Sequence, residues 1–128
     1  MISSYQDLTV WQESIVFVSE VYAITKSFPK EEMYGLISQL RRAAVSVPSN
    51  IAEGQGRKTP LAFINHLNIA YGSLMEVETQ LHIATKLKYV SEEQLDGLLK
   101  RSQAIGKMLN GLISSLSKNV TPRLRTDN

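Results

Sequence analysis

The 128 residues are 43% apolar and 20% charged, enough to bury one core and too apolar for a disordered chain. Cysteine is absent, which excludes disulfides, thiolate nucleophiles and Cys-ligated zinc. The net charge of +2 lies wholly in the last eleven residues, where Lys118, Arg123 and Arg125 face Asp127, while residues 1–117 balance 11 basic against 11 acidic side chains. A uniformly basic body is thereby excluded, and any nucleic-acid role must rest on local patches or on repetition of the tail.

The first residues, from Met1 to Asp7, show no basic stretch followed by an apolar one, and apolar runs such as Ile15 to Val18 are far too short to span a bilayer. A cytoplasmic protein with no membrane contact is expected. In the first helix Leu8, Trp11, Ile15, Val18, Tyr22 and Thr25 follow steps of three and four, with Asp7 expected as the N-cap. A second apolar row on the same helix, Val10, Phe17, Val21 and Ile24, is either part of a broad core seam or a subunit interface. Phe28-Pro29 ends this helix, since proline keeps its predecessor out of the α region.

A second helix carries Met33, Leu36, Leu40, Ala44, Val47 and Ile51 on one stripe and closes at Gly54-Gln55-Gly56. Pro48 falls inside it and is expected to kink or split it near Val45 to Val47. Thr59-Pro60 is an N-cap followed by proline at the first helical position. It opens the longest pattern, which runs from Phe63 through Leu67, Ala70, Leu74, Val77 and Leu81 to Ala84. Ser91-Glu92-Glu93-Gln94 is a capping box that starts a fourth helix with Leu95, Leu98, Ile105, Leu109, Leu112 and Leu116. Gly97, Gly106 and Gly111 either weaken that helix or admit a close neighbour. The pattern stops after Ser117, and residues 118–128 read as a flexible basic tail. Four helices with short links imply an all-α domain over residues 1–117, an antiparallel up-and-down four-helix bundle.

Catalytic chemistry has no signature here. His66 and His82 lie on the third helix, and Glu78 with His82 forms an i, i+4 pair, but a di-iron bundle needs Glu-x-x-His motifs that this chain lacks. No nucleophile elbow and no cofactor motif occurs, so a non-enzyme without metal or cofactor is expected. Arg57 and Lys58 adjoin the start of the third helix, where free N–H groups favour an anion such as phosphate. Arg41 and Arg42 sit within the second helix; solvation, pairing with Glu76 and Glu78, and nucleic-acid contact all remain open for them.

The words Asp7-Leu8-Thr9-Val10-Trp11-Gln12, Gly35-Leu36, Gln39 through Gly54 and Ile69-Ala70-Tyr71-Gly72-Ser73-Leu74 resemble the four-helix bundle proteins of the 23S ribosomal RNA intervening-sequence family. Position 71 is Tyr where the family pattern favours Arg, which removes one basic contact. The resemblance implies a bacterial cytoplasmic protein that assembles into a ring-shaped homopentamer. It also implies kinship with the accessory variability determinant of diversity-generating retroelements, which binds nucleic acid and a reverse transcriptase. On that basis Arg41, Arg42, Arg57, Lys58, Arg123 and Arg125 are expected to contact RNA or DNA backbone with little sequence specificity. The alternative is an oligomeric scaffold for a protein partner such as a reverse transcriptase. Asn50, Glu53 and Gly54 have a structural reading too: the first two satisfy backbone groups freed by Pro48, and Gly54 caps the helix.

Overall fold

The computed structural model describes residues 4–120, and among these four α-helices and two short 3-10 turns make up the regular structure, with no strand. The helices are α1 (Thr9–Thr25), α2 (Leu36–Gln55), α3 (Pro60–Lys86) and α4 (Glu92–Ser117). Each packs on its neighbours in the chain, and α1 also packs on α4, so one core is enclosed by all four. Phe17, Leu40, Ile51, Leu67, Leu74, Leu81, Ile105 and Leu109 are its fully buried large side chains, each worth roughly 1.5–3 kcal/mol of transfer from water.

Local signals set most boundaries. The Thr59 side chain accepts the Ala62 N–H at 3.2 Å, and Ser91 and Gln94 exchange both bonds of the capping box. At the end of α3 the Tyr89 N–H bonds the Ala84 carbonyl and the Lys88 N–H that of Thr85, a Schellman closure. That closure needs a left-handed residue, and Lys88 fills the place at φ 69°. The start of α1 differs from expectation. Residues Tyr5–Asp7 form a 3-10 turn, Leu8 takes the N-cap position in extended backbone, and Asp7 is not the cap.

The second apolar row of α1 forms most of its core face, and the first is split, with Leu8 and Thr25 buried and Trp11 and Val18 packed at the core's edge. Val10, Phe17 and Val21, offered above as either a core seam or a subunit interface, are buried in the core and only Ile24 is half-buried, which corrects the interface reading, while Ile15 and Tyr22 of the other stripe are exposed. The core row is completed by Ser14 and Thr25, both buried, whose hydroxyls donate to the Val10 and Val21 carbonyls at 2.7 and 2.8 Å. Satisfying each hydroxyl one turn back makes its burial tolerable, and Ser14 is the core position that a hydrophobicity count passes over.

Helix α2 runs through Pro48 unbroken. Pro48 is buried at the groove between α1 and α2, and the helix continues through it although its ring removes one backbone bond. Met33 lies before α2, after the 3-10 turn Lys30–Glu32, and is exposed rather than core. Gly54 is inside α2 and buried, and Gly56 occupies the cap position. A Cβ at Gly54 would lie 2.7 Å from His66 Cβ and 2.8 Å from Phe63 Cδ1, so this glycine permits α2 and α3 to touch.

Side-chain bonds tie the elements together at matching heights. Ser73 donates to Ser46 at 2.8 Å between α3 and α2, and Ser102 to Glu78 at 2.6 Å between α4 and α3. Arg101 of α4 reaches two carboxylates of α1, donating to Glu13 at 3.0 Å and standing 2.7 Å from Glu20. The Tyr89 hydroxyl donates to Glu32 at 3.0 Å, and the same carboxylate accepts the Leu36 N–H at the start of α2.

Candidate nucleic-acid interface

The basic residues singled out in the sequence separate into two groups. Arg41 and Arg42 lie near the start of α2 and Arg57 and Lys58 just beyond its end, roughly 24 Å apart at 1.5 Å per residue. Arg123 and Arg125 lie outside the described residues.

The Arg57–Lys58 end holds less free charge than its letters suggest. Arg57 pairs with Glu53 at 3.0 Å, one turn back on an exposed surface. Glu53 thus serves a neighbouring cation and not the backbone around Pro48. Asn50 does act on the backbone, donating to the Ser46 carbonyl at 2.9 Å, and its oxygen lies 3.2 Å from His66 Nδ1. The other ring nitrogen of His66 stands 3.9 Å from Glu53. Lys58 is exposed beside the start of α3.

The other end of α2 gathers more cations than the sequence pattern displayed. The chain reverses at Phe28-Pro29, so the end of α1 and the following turn lie beside the first turns of α2. A cleft of about 530 Å³ forms there, and its walls include Lys26, Lys30, Arg41, Arg42, Tyr22 and Tyr34. No carboxylate lines it. In the turn that carries Lys30, Glu32 is engaged with Tyr89 and the Leu36 N–H, and Glu31 is exposed.

Arg41 is half-buried and fixed in place. Its Nε donates to Thr25 Oγ1 at 2.8 Å, and its guanidinium lies 4.5 Å from the centroid of the Tyr22 ring. It does not pair with Glu76 or Glu78; Glu78 accepts from Ser102 instead. Arg42 is exposed and borders both this cleft and an adjacent groove that contains Glu76. Lys26 and Lys30 are exposed as well. They escape a reading of basic doublets because each stands alone in sequence, and only the turn at Pro29 sets them beside Arg41. The interleaving of Tyr22, Lys26, Lys30, Tyr34 and Arg41 was the available signal.

A larger cleft, about 760 Å³, lies between α1 and α4 and is a poorer anion site. Glu13, Glu20 and Glu93 line it, Arg101 is already held by the first two, and Lys100 pairs with Asp96 at 3.2 Å. Among the described residues no three His, Cys, Asp or Glu side chains are grouped to hold a metal ion. Among them, too, no helix is long and apolar enough to cross a membrane.

The model of the 23S rRNA-intervening sequence protein family matches residues 6–111. The chain belongs to that family. A solved structure from Bacteroides thetaiotaomicron, described as a protein of unknown function from the S23 ribosomal protein family, is similar to it at 26% identity and a TM-score of 0.74. The match covers 82% of this chain and 98% of that one. Curated proteins give no match. Within the family match, Tyr71 is half-buried, its ring carbon 3.4 Å from where a Cβ on Gly106 would sit.

Proposed function

We propose that this member of the 23S rRNA-intervening sequence family is a non-enzymatic, oligomeric accessory protein that binds the backbone of RNA or DNA. The observation that carries the reading is the meeting of Lys26, Lys30, Arg41 and Arg42 around one cleft that no carboxylate lines. Four positive groups within one small area suit consecutive phosphates, and one of them is an arginine pre-positioned by Thr25 and Tyr22. The family's name supports RNA as a ligand.

The same proposal includes an up-and-down antiparallel bundle assembled into a ring of five. Pairings between α2 and α3 support the antiparallel order, since Gly54 lies against His66 and Phe63 while Ser46 meets Ser73. Self-association is supported by the outward stripe of α1 and its neighbour on α2. Ile15 and Val45 are 43% and 39% exposed in the walls of an apolar groove that also includes Trp11, Val18 and Pro48. Repetition around a ring multiplies a modest cationic cleft by avidity.

Fluorescence anisotropy of a labelled RNA hairpin and a DNA duplex, at low and physiological salt, tests the reading. Steeply salt-dependent binding is expected, with a log–log slope shallower by about one for each phosphate-contacting cation removed, as in Lys30→Glu or Arg42→Glu. Arg57→Glu with Lys58→Glu is expected to have the smaller effect, because Arg57 is already paired. Absence of binding at low salt refutes the proposal and leaves an oligomeric scaffold for a protein partner, such as a reverse transcriptase. Sedimentation at micromolar concentration tests assembly, and a monomeric mass refutes it.

A further inference from the structure

We infer that the cleft between the end of α1 and the start of α2 takes an unpaired nucleobase, stacked on Tyr34, which directs the protein to single-stranded nucleic acid. This deepens the backbone-binding reading above and rests on it.

Tyr34 is 95% exposed, although a tyrosine ring ordinarily gains by covering its faces. It stands between the 3-10 turn Lys30–Glu32 and α2, next to Met33, itself 52% exposed. An exposed aromatic at the rim of a cleft that four cations line has two chemically distinct capacities. The cations hold phosphate oxygens, and the ring offers a π-face to a flat heterocycle. Tyr22 is not equivalent, because the Arg41 guanidinium already covers one face of its ring. Tyr34 is the aromatic wall of this cleft that is left open on nearly all sides.

Volume and charge agree with this occupant. About 530 Å³ falls inside the range of roughly 300–1,000 Å³ usual for small-ligand clefts. A duplex presents its phosphates but keeps its base faces stacked internally, so it uses the cations and not the ring. A single strand uses both, and stacking on Tyr34 is therefore a term that only unpaired substrates gain. Since every base has a π-face, the preference is for strandedness and not for sequence.

Tyr34→Ala separates the two contributions, and its side chain is so exposed that folding does not depend on it. The probes are a short labelled single-stranded RNA, the same sequence as DNA, and a duplex of equal length, titrated at low salt by anisotropy. Tyr34→Ala is expected to weaken single-strand binding by roughly 5- to 150-fold, from the usual strength of one base–aromatic stack, and to leave duplex binding unchanged. Tyr34→Phe is expected to bind both strands as the wild type does. Equal affinity of RNA and DNA single strands assigns the gain to stacking alone, and an RNA advantage that survives in Tyr34→Ala adds a contact to the 2′-hydroxyl without removing the stack. If Tyr34→Ala changes neither probe, or weakens both alike, the stacking site is overturned while the backbone reading stands. If the wild type binds no strand at low salt, both fall. A drop in sedimenting mass for Tyr34→Ala would assign the ring to a subunit contact and likewise overturn the stacking site.

Discussion

Gly54→Ala and Gly97→Ala make opposite demands on similar helices. Both sites lie within α-helices, and replacing an exposed helical glycine by alanine gains about 1 kcal/mol from propensity. At Gly97 nothing stands within 4 Å of the new methyl, so the whole gain is expected to appear. At Gly54 the methyl would stand 2.7 Å from His66 Cβ, 2.8 Å from Phe63 Cδ1 and 3.3 Å from the Phe63 carbonyl oxygen. His66 Cβ cannot retreat without moving the α3 backbone, so the overlap is not relieved by a rotamer change. Overpacking of this kind costs roughly 1–3 kcal/mol, which leaves Gly54→Ala neutral to about 2 kcal/mol less stable than wild type after the propensity gain is subtracted. The two variants should then differ by about 1–3 kcal/mol. Urea denaturation followed by far-UV circular dichroism, at one fixed protein concentration, reads this as a midpoint order of Gly97→Ala above wild type and Gly54→Ala at or below it. Gly54→Ala as stable as Gly97→Ala would refute the claim that this glycine sets the α2–α3 distance.

Phe17→Ala is expected to lose roughly 3–5 kcal/mol, since the ring is fully buried, and unfolding experiments across a range of protein concentrations should show the loss at every one of them. A loss confined to low concentration would restore Phe17 to a subunit interface. Lys88→Gly should stabilise by about 1 kcal/mol or less, because glycine adopts the left-handed backbone without the Cβ penalty; a thermal melt that falls instead would contradict the Schellman geometry. The hydrogen bond to Glu32, with a smaller contribution from burial and the charges of Glu32 and Glu31, raises the Tyr89 phenol above its ordinary 10.0. A phenol that holds its proton more tightly when folded adds stability fully below 10.0 and loses it as pH rises through the raised value. Stability of the wild type should therefore fall faster than that of Tyr89→Phe across that alkaline window, and parallel pH profiles would remove the bond from the account.

The four helices, the Thr59 cap, the Ser91–Gln94 box and the core stripes of α3 and α4 were legible in the sequence because each signal is local. A cap acts within one turn, and an apolar stripe repeats every three or four residues of the same helix. Family membership was likewise carried by contiguous words, above all Gln39 to Gly54. Three features depended on which elements meet. The choice between the two apolar rows of α1 was made by α2 and α4, which bury Val10, Phe17 and Val21 along with Thr25 from the other row and Ser14, which no hydrophobic pattern counts. Gly54 looked like a helix stop from its own neighbours, and its real constraint is the approach of Phe63 and His66. The cationic cleft needed the reversal at Pro29 to set Lys26 and Lys30 beside Arg41 and Arg42, which stand more than ten residues away along the chain. Periodicity records the faces of a helix, whereas contact between helices is fixed by the packing of all four at once, and that is the information only the tertiary structure holds.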